Sequence, residues 1–265
     1  MKNVRIVMTT VVLVSTAMIT VSGCGLVKPG RGVHTVDSAT ASANPATPKD
    51  ALVASVGPMT KAAFDFKVKR ARLFGSGQVD PAAKSWTLML GSIDPTVILS
   101  YAFVTIDTDY WIKVDLGASA NQQAGIQRGT WMHLDRSRIT VKDAFPIDAT
   151  GDGDALGLTS TLQHTAAVTR TDSTSYAGTI DLSVGSPLSP DAETQRRLGY
   201  QVAAVPFTAT VDSQGRLTDI KVDGSGIEDS LTVELSVADY GAATAITKPA
   251  SSIPAPAGLY KLFNS

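Results

Sequence analysis

The feature that most constrains this chain is an alternation of apolar and polar residues with a period of two, which recurs along most of its length. In AAFDFKVKR, Phe64, Phe66 and Val68 fall on one face while Asp65, Lys67 and Lys69 fall on the other. Successive side chains of a strand point to opposite sides of a sheet, so this spacing describes strands with one buried and one wet face. The pattern returns with Trp86, Leu88 and Leu90, with Tyr110, Ile112, Val114 and Leu116, and with Tyr176, Gly178, Ile180, Leu182 and Val184. Phe207, Ala209 and Val211 repeat it, as do Leu231, Val233, Leu235 and Val237. Gly75-Ser76-Gly77, Asp80-Pro81 and Ser213-Gln214-Gly215 read as turns between such runs. The spacing predicts one antiparallel meander of about eight to ten strands. A sheet of that size tends to curl.

One run departs from the alternation. In TVILSYAFVTI, Val97, Leu99, Tyr101 and Phe103 share one face, and Ile98, Ala102, Val104 and Ile106 share the other. Both faces are apolar, as in a strand covered on two sides. Core and pocket wall have the same signature here, so this run is compatible with either.

Helix signals are fewer. Thr47, Pro48 and Asp50 have the spacing of a capped helix start, followed by Leu52, Val53 and Val56 on one side. Leu158, Leu162 and Ala166 recur at four-residue steps, and Ser189-Pro190 precedes an acidic first turn. The resulting expectation is an α+β fold in which a large curled antiparallel sheet, a half-barrel, has about three helices over its concave face.

Composition excludes some partners. The 265 residues include 43% hydrophobic ones, enough for a real core, and the formal net charge is −1. No basic face is available for nucleic acid. No heptad argues for an obligate assembly, and a monomer is expected.

The N-terminus has the parts of a secretion signal: Lys2 and Arg5, an apolar run from Ile6 to Val21, then Ser22 and Gly23. The run is shorter than the roughly 20 apolar residues of a membrane span. Cys24 follows and is the only cysteine. Val21-Ser22-Gly23-Cys24 resembles the lipobox of bacterial lipoproteins, in which the thiol is alkylated by a diacylglyceryl group and the chain is cut between the residues here numbered Gly23 and Cys24. The implied organisation is a signal peptide over 1–23, a lipidated N-terminus and flexible spacer over 24–46, a folded body over 47–249 and a Pro-rich tail over 250–265. Two or more acyl chains hold a protein on a bilayer stably, so the expected location is the extracytoplasmic face of the cell membrane.

The order of these features, with TDYWIKVD at 108–115, SYAGTIDLS at 175–183 and VADYG at 237–241, resembles the actinobacterial lipoproteins of the LppX and LprG type. Those are similar in fold to the carriers LolA and LolB. The resemblance spans about Pro48 to Pro249 and implies a LolA/LolB-like half-barrel that encloses a hydrophobic pocket for acyl chains. Its lining is then expected from Phe66, Leu88, Leu90, Val97, Leu99, Tyr101 and Phe103. Ile112, Leu158, Leu162, Ile180, Leu182, Phe207 and Leu235 are expected to complete it. The implied function is binding and carriage of a lipid or glycolipid within the envelope, with a possible envelope transporter as partner. The alternative is a tethered interaction or sensing module with a packed core and no cargo.

Catalytic and cofactor motifs are weak. DATGDGDALG resembles the opening of a calcium loop, but Thr159 stands where a bidentate glutamate belongs, so Asp152 or Asp154 is read as a helix cap. Leu156 occupies the third glycine position of a dinucleotide fingerprint. His34, His133 and His164 have no partner at metal-ligand spacing. The expectation is no cofactor, no metal and no enzyme.

Overall fold

A computed structural model of the protein describes residues 47–140, 154–184 and 188–264. The signal peptide, Gly23, Cys24, the spacer and the calcium-loop-like residues up to Gly153 lie outside the described residues.

Twelve strands form one sheet among the described residues. They are β1 (Phe64–Arg70), β2 (Leu73–Asp80), β3 (Ser85–Ser92), β4 (Ser100–Ile106), β5 (Asp109–Asp115) and β6 (Met132–Leu134), then β7 (Thr165–Arg170), β8 (Ser175–Ile180), β9 (Val205–Val211), β10 (Leu217–Val222), β11 (Val233–Ala238) and β12 (Ile253–Pro254). Their spatial order is β12-β6-β5-β4-β3-β2-β1-β11-β10-β9-β8-β7. Two meanders, β1 to β6 and β7 to β11, therefore meet where β1 pairs with β11. The pairing of β12 with β6 is parallel and the others are antiparallel, so the sheet is mixed and larger than the expected eight to ten strands. β12 and β7 stand at opposite edges, and the sheet does not close.

Helices α1 (Pro48–Ala54), α2 (Ala118–Ala124), α3 (Leu158–Gln163), α4 (Ala192–Leu198) and α5 (Ala257–Phe263) complete the body. α1 begins as its sequence requires: Thr47 Oγ1 accepts from the Asp50 amide at 3.1 Å while Asp50 accepts from the Thr47 amide. α3 is shorter than expected. It ends at Gln163, His164 is its C-cap, and Ala166 belongs to β7. The Asp154 carboxylate accepts from the amides of Leu158 and Thr159, each at 2.9 Å, so this acid does cap the helix. α4 starts at Asp191, whose side chain accepts from the Thr194 amide at 2.8 Å, rather than at Ser189.

The core lies between one face of the sheet and the helices. Met132 and Leu134 near one edge join Ile180 and Val205 near the other in a single cluster with Leu52, Leu158, Leu162, Leu259 and Phe263. Both edges share one core only if the sheet curls around it. α1 packs on α3 and β7, and α2 packs on α5.

Three expectations need correction. Gly75-Ser76-Gly77 is the middle of β2, and the turn falls before it at Ala71 and Arg72, between the end of β1 at Arg70 and the start of β2 at Leu73. Val97 and Leu99 are not strand residues, because Asp94-Pro95-Thr96-Val97 forms a turn in which the Val97 amide donates to the Asp94 carbonyl at 3.1 Å. The sheet also continues past Lys248: Ile253 and Ala255 donate to the carbonyls of Trp131 and His133, and α5 buries Leu259, Tyr260 and Phe263.

Candidate functional site

The concave face is built from alternate residues held in register. Its rows run across the strands: Phe64, Val79, Trp86 and Thr105; then Phe66, Gly77, Leu88, Phe103 and Ile112; then Val68, Gly75, Leu90, Tyr101 and Val114; then Arg70 and Leu73. Leu235 stands opposite Val68 on the far side of β1, and Phe207 opposes Val222 on β10. Of the fourteen expected wall residues, Phe66, Leu88, Leu90, Tyr101, Phe103, Ile112, Ile180, Phe207 and Leu235 share this face. Leu158 and Leu162 come from α3, and Leu182 follows β8; all three join the same cluster. Val97 does not, being 47% exposed on the loop between β3 and β4, and Leu99 lies half-buried on that loop.

Burial along the face is graded. Trp86 and Phe64 are 1% exposed, Phe66 4%, and Leu88 and Phe103 3%. Val68, Leu90 and Tyr101 are half-buried, and Leu73, at the end of the row, is 38% exposed. The face is thus sealed at the Phe64 end and grows more accessible toward the Arg70 end along β1 to β4. On β5, Val114 stays buried.

Glycines shape the wall. A Cβ at Gly75 would lie 2.7 Å from Leu90 Cδ2 and 2.8 Å from Val68 Cγ1, and one at Gly178 would lie 3.1 Å from the Phe207 ring. Large side chains from neighbouring strands lean into the space that these residues leave. A glycine inside a strand pattern is the sequence signal for such close approach.

Polar groups mark the open end. The Arg70 guanidinium donates to the Leu188 carbonyl at 2.6 Å, and burial lowers its pKa from the usual arginine value, with Asp191 opposing that shift. Tyr101 stacks on Phe103 with centroids 6.1 Å apart, and burial pushes its hydroxyl up to about 12. Sequence periodicity missed Arg70 as a concave-face residue because its charge breaks the apolar alternation.

Two clefts lie on the opposite, convex side. One of about 630 Å³ runs between Trp111, His133 and Arg138 and the strap Lys248–Ala255. His133 Nε2 is 3.0 Å from Asp109 Oδ1, and its ring is 5.4 Å from that of Trp111. Trp111 is 8% exposed there, as is Val104 beside it, which accounts for the second apolar face read in residues 101–106. The other cleft, also about 630 Å³, lies over β10, β11, β1 and β2. His164 is at the end of α3, its Nδ1 2.8 Å from the Ser160 carbonyl.

The three quoted motifs have structural roles. Tyr240 of VADYG donates to the Leu217 carbonyl at 2.7 Å under the Arg216 guanidinium, and Tyr176 of SYAGTIDLS is buried with its hydroxyl 2.7 Å from Arg170. Trp111 of TDYWIKVD packs on the convex side. No protein-family model matches the chain, and no curated protein matches it.

Proposed function

We propose that the protein is an envelope lipoprotein, anchored through Cys24, that binds the acyl part of a lipid or glycolipid against its concave face and carries it without chemical change. This reading includes a LolA/LolB-like half-barrel and relatives of the LppX and LprG type. The observation that carries it is the gradient of burial from Trp86 to Leu73. An acyl chain leaving a bilayer loses about 0.8 kcal/mol for each CH₂ exposed to water, so a carrier needs a continuous apolar path from rim to interior. Val68, Leu90 and Tyr101 provide the accessible part of such a path.

The test is lipid extraction of the protein purified without its acyl anchor, followed by mass spectrometry and titration with a fluorescent fatty acid. A stoichiometric acyl species and saturable probe binding are expected. Neither appearing would leave the tethered module with a filled interior. That second reading has its own support: Leu158, Leu162, Ile180, Leu182 and Ile112 are fully buried, which is how a packed core looks.

A further inference from the structure

Large apolar side chains exposed to solvent are concentrated at one end of the sheet. Leu73 and Phe74 begin β2, and Ile93, Val97 and Ile98 sit on the loop between β3 and β4, where the Ile93 amide donates to the Arg72 carbonyl at 2.8 Å. These five are 38% to 59% exposed. Contiguous exposed apolar groups of this kind mark interaction surfaces.

The convex cleft over β10, β11, β1 and β2 opens onto the same place. Phe74 and Ile93 line it beside Lys67 and Lys69. In register across the strands stand Lys221, Glu234, Lys69 and Phe74, and next to them Asp219, Ser236, Lys67 and Ser76. Glu234 is held by Lys221 at 3.1 Å, and Asp219 accepts from Thr210 Oγ1 at 3.0 Å. Lys67 and Lys69 are exposed and enter no ion pair among the described residues. Lys67 still feels the Asp65 carboxylate two residues away, and Lys69 faces Glu234 across the strands; with Lys221 they give the cleft three cations against Asp219 and Glu234, beside an apolar rim.

We propose that this cleft takes the anionic headgroups of a bilayer surface at Lys67 and Lys69 while Phe74 and Ile93 enter its interfacial layer. Charge and apolar contact are the two signals that together give useful surface binding. The chain's own connection agrees. Lys49 Nζ bonds the Thr165 carbonyl at 2.7 Å, which puts the start of α1 at the first residue of β7, the same end of the sheet as Arg70. The 22 residues 25–46 that precede Thr47 reach at most about 75 Å when extended. A body tethered there can rest on the surface by its apolar end.

Co-sedimentation of the chain from Gly25 onward tests this without an anchor, since every described element shares one core within 47–264. The vesicles are phosphatidylcholine with and without phosphatidylglycerol. Binding is expected only with phosphatidylglycerol, weakening as salt rises. Lys67→Gln and Lys69→Gln should each reduce it about fivefold, and Phe74→Ser about tenfold, with unchanged thermal melting. Lys67→Arg with Lys69→Arg should retain it. Binding that ignores these substitutions, no binding at all, or a dimer that Phe74→Ser dissociates would overturn the proposal. Fluorescent fatty-acid binding, measured without vesicles, reports the carrier reading separately.

Discussion

The ring of Phe66 sits over Gly77, its partner on β2, so closely that a Cβ at position 77 would stand 2.7 Å from Phe66 Cζ and closer still to the Thr87 carbonyl oxygen. The second contact is with backbone of the central sheet and has no easy relief. Gly77→Ala should therefore destabilise by about 2–4 kcal/mol, through displaced strands and a tilted Phe66. At Gly226 a Cβ would meet nothing within 4 Å, so Gly226→Ala should stay within about 0.5 kcal/mol. Urea denaturation of both variants measures the contrast. Equal midpoints would show that the sheet yields at Gly77.

Asp65 is an ionisable group in a poor place. Its Oδ1 is buried without a hydrogen-bond partner among the described residues, and its pKa is raised by burial first and by Asp239 second. A carboxyl whose folded pKa is raised binds its proton more tightly in the fold, so stability is lowered above that pKa and recovers as pH falls toward the unfolded value. Asp65→Asn should raise the urea midpoint at neutral pH. The gain should shrink as the pH approaches the ordinary carboxylate range near about 4. A gain that persists in acid would assign the effect to packing instead.

Glu228 has the opposite sign. The Arg197 guanidinium donates to Oε1 at 2.8 Å and Ser230 donates at 2.6 Å, which hold its carboxyl down at about 2. A depressed folded pKa contributes stability that is present above the unfolded value and lost as pH falls through the folded one. The contribution should fade between about pH 4.5 and about pH 2. Glu228→Gln should accordingly be less stable than the parent at pH 6 and match it at pH 2. A constant difference across that range would sink the assignment.

The sheet was legible wherever alternation was clean. β1, β3, β5, β8, β9 and β11 lie where Phe66, Leu88, Ile112, Ile180, Phe207 and Leu235 alternate with polar neighbours. β2 was obscured because its Gly75 and Gly77 make room for Val68, Leu90 and Phe66, and local chemistry gives a glycine in a turn and one beneath an aromatic ring the same letter. The loop around Val97 and Ile98 looks like a strand in sequence for the converse reason: β-branched residues favour strands, but Asp94 accepts from both the amide and the hydroxyl of Thr96 and holds a turn there. β6 and β12 are too short to show a period, and α5 was hidden behind the prolines that precede it. Among the expected wall residues, periodicity identified the face but not the gradient along it. That depends on what the helices and edges cover, which is a property of the whole body.

The gradient separates two neighbouring leucines on β3. Leu88 is 3% exposed in the sealed part of the face, while Leu90, two residues on, is half-buried beside Tyr101. An arginine at position 88 would bury a charge without a partner, and Leu88→Arg should lose about 3–5 kcal/mol and much of the folded fraction. At position 90 the aliphatic stem can lie along Val68 and Tyr101 while the guanidinium reaches water at the exposed rim by Leu73. Leu90→Arg should thus keep a cooperative melt yet place a cation across the proposed path, lowering fluorescent fatty-acid affinity at least tenfold. Leu90→Met, similar in volume and apolar, should bind as the parent does. If Leu90→Arg folds and binds the probe unchanged, acyl chains do not enter beside Tyr101.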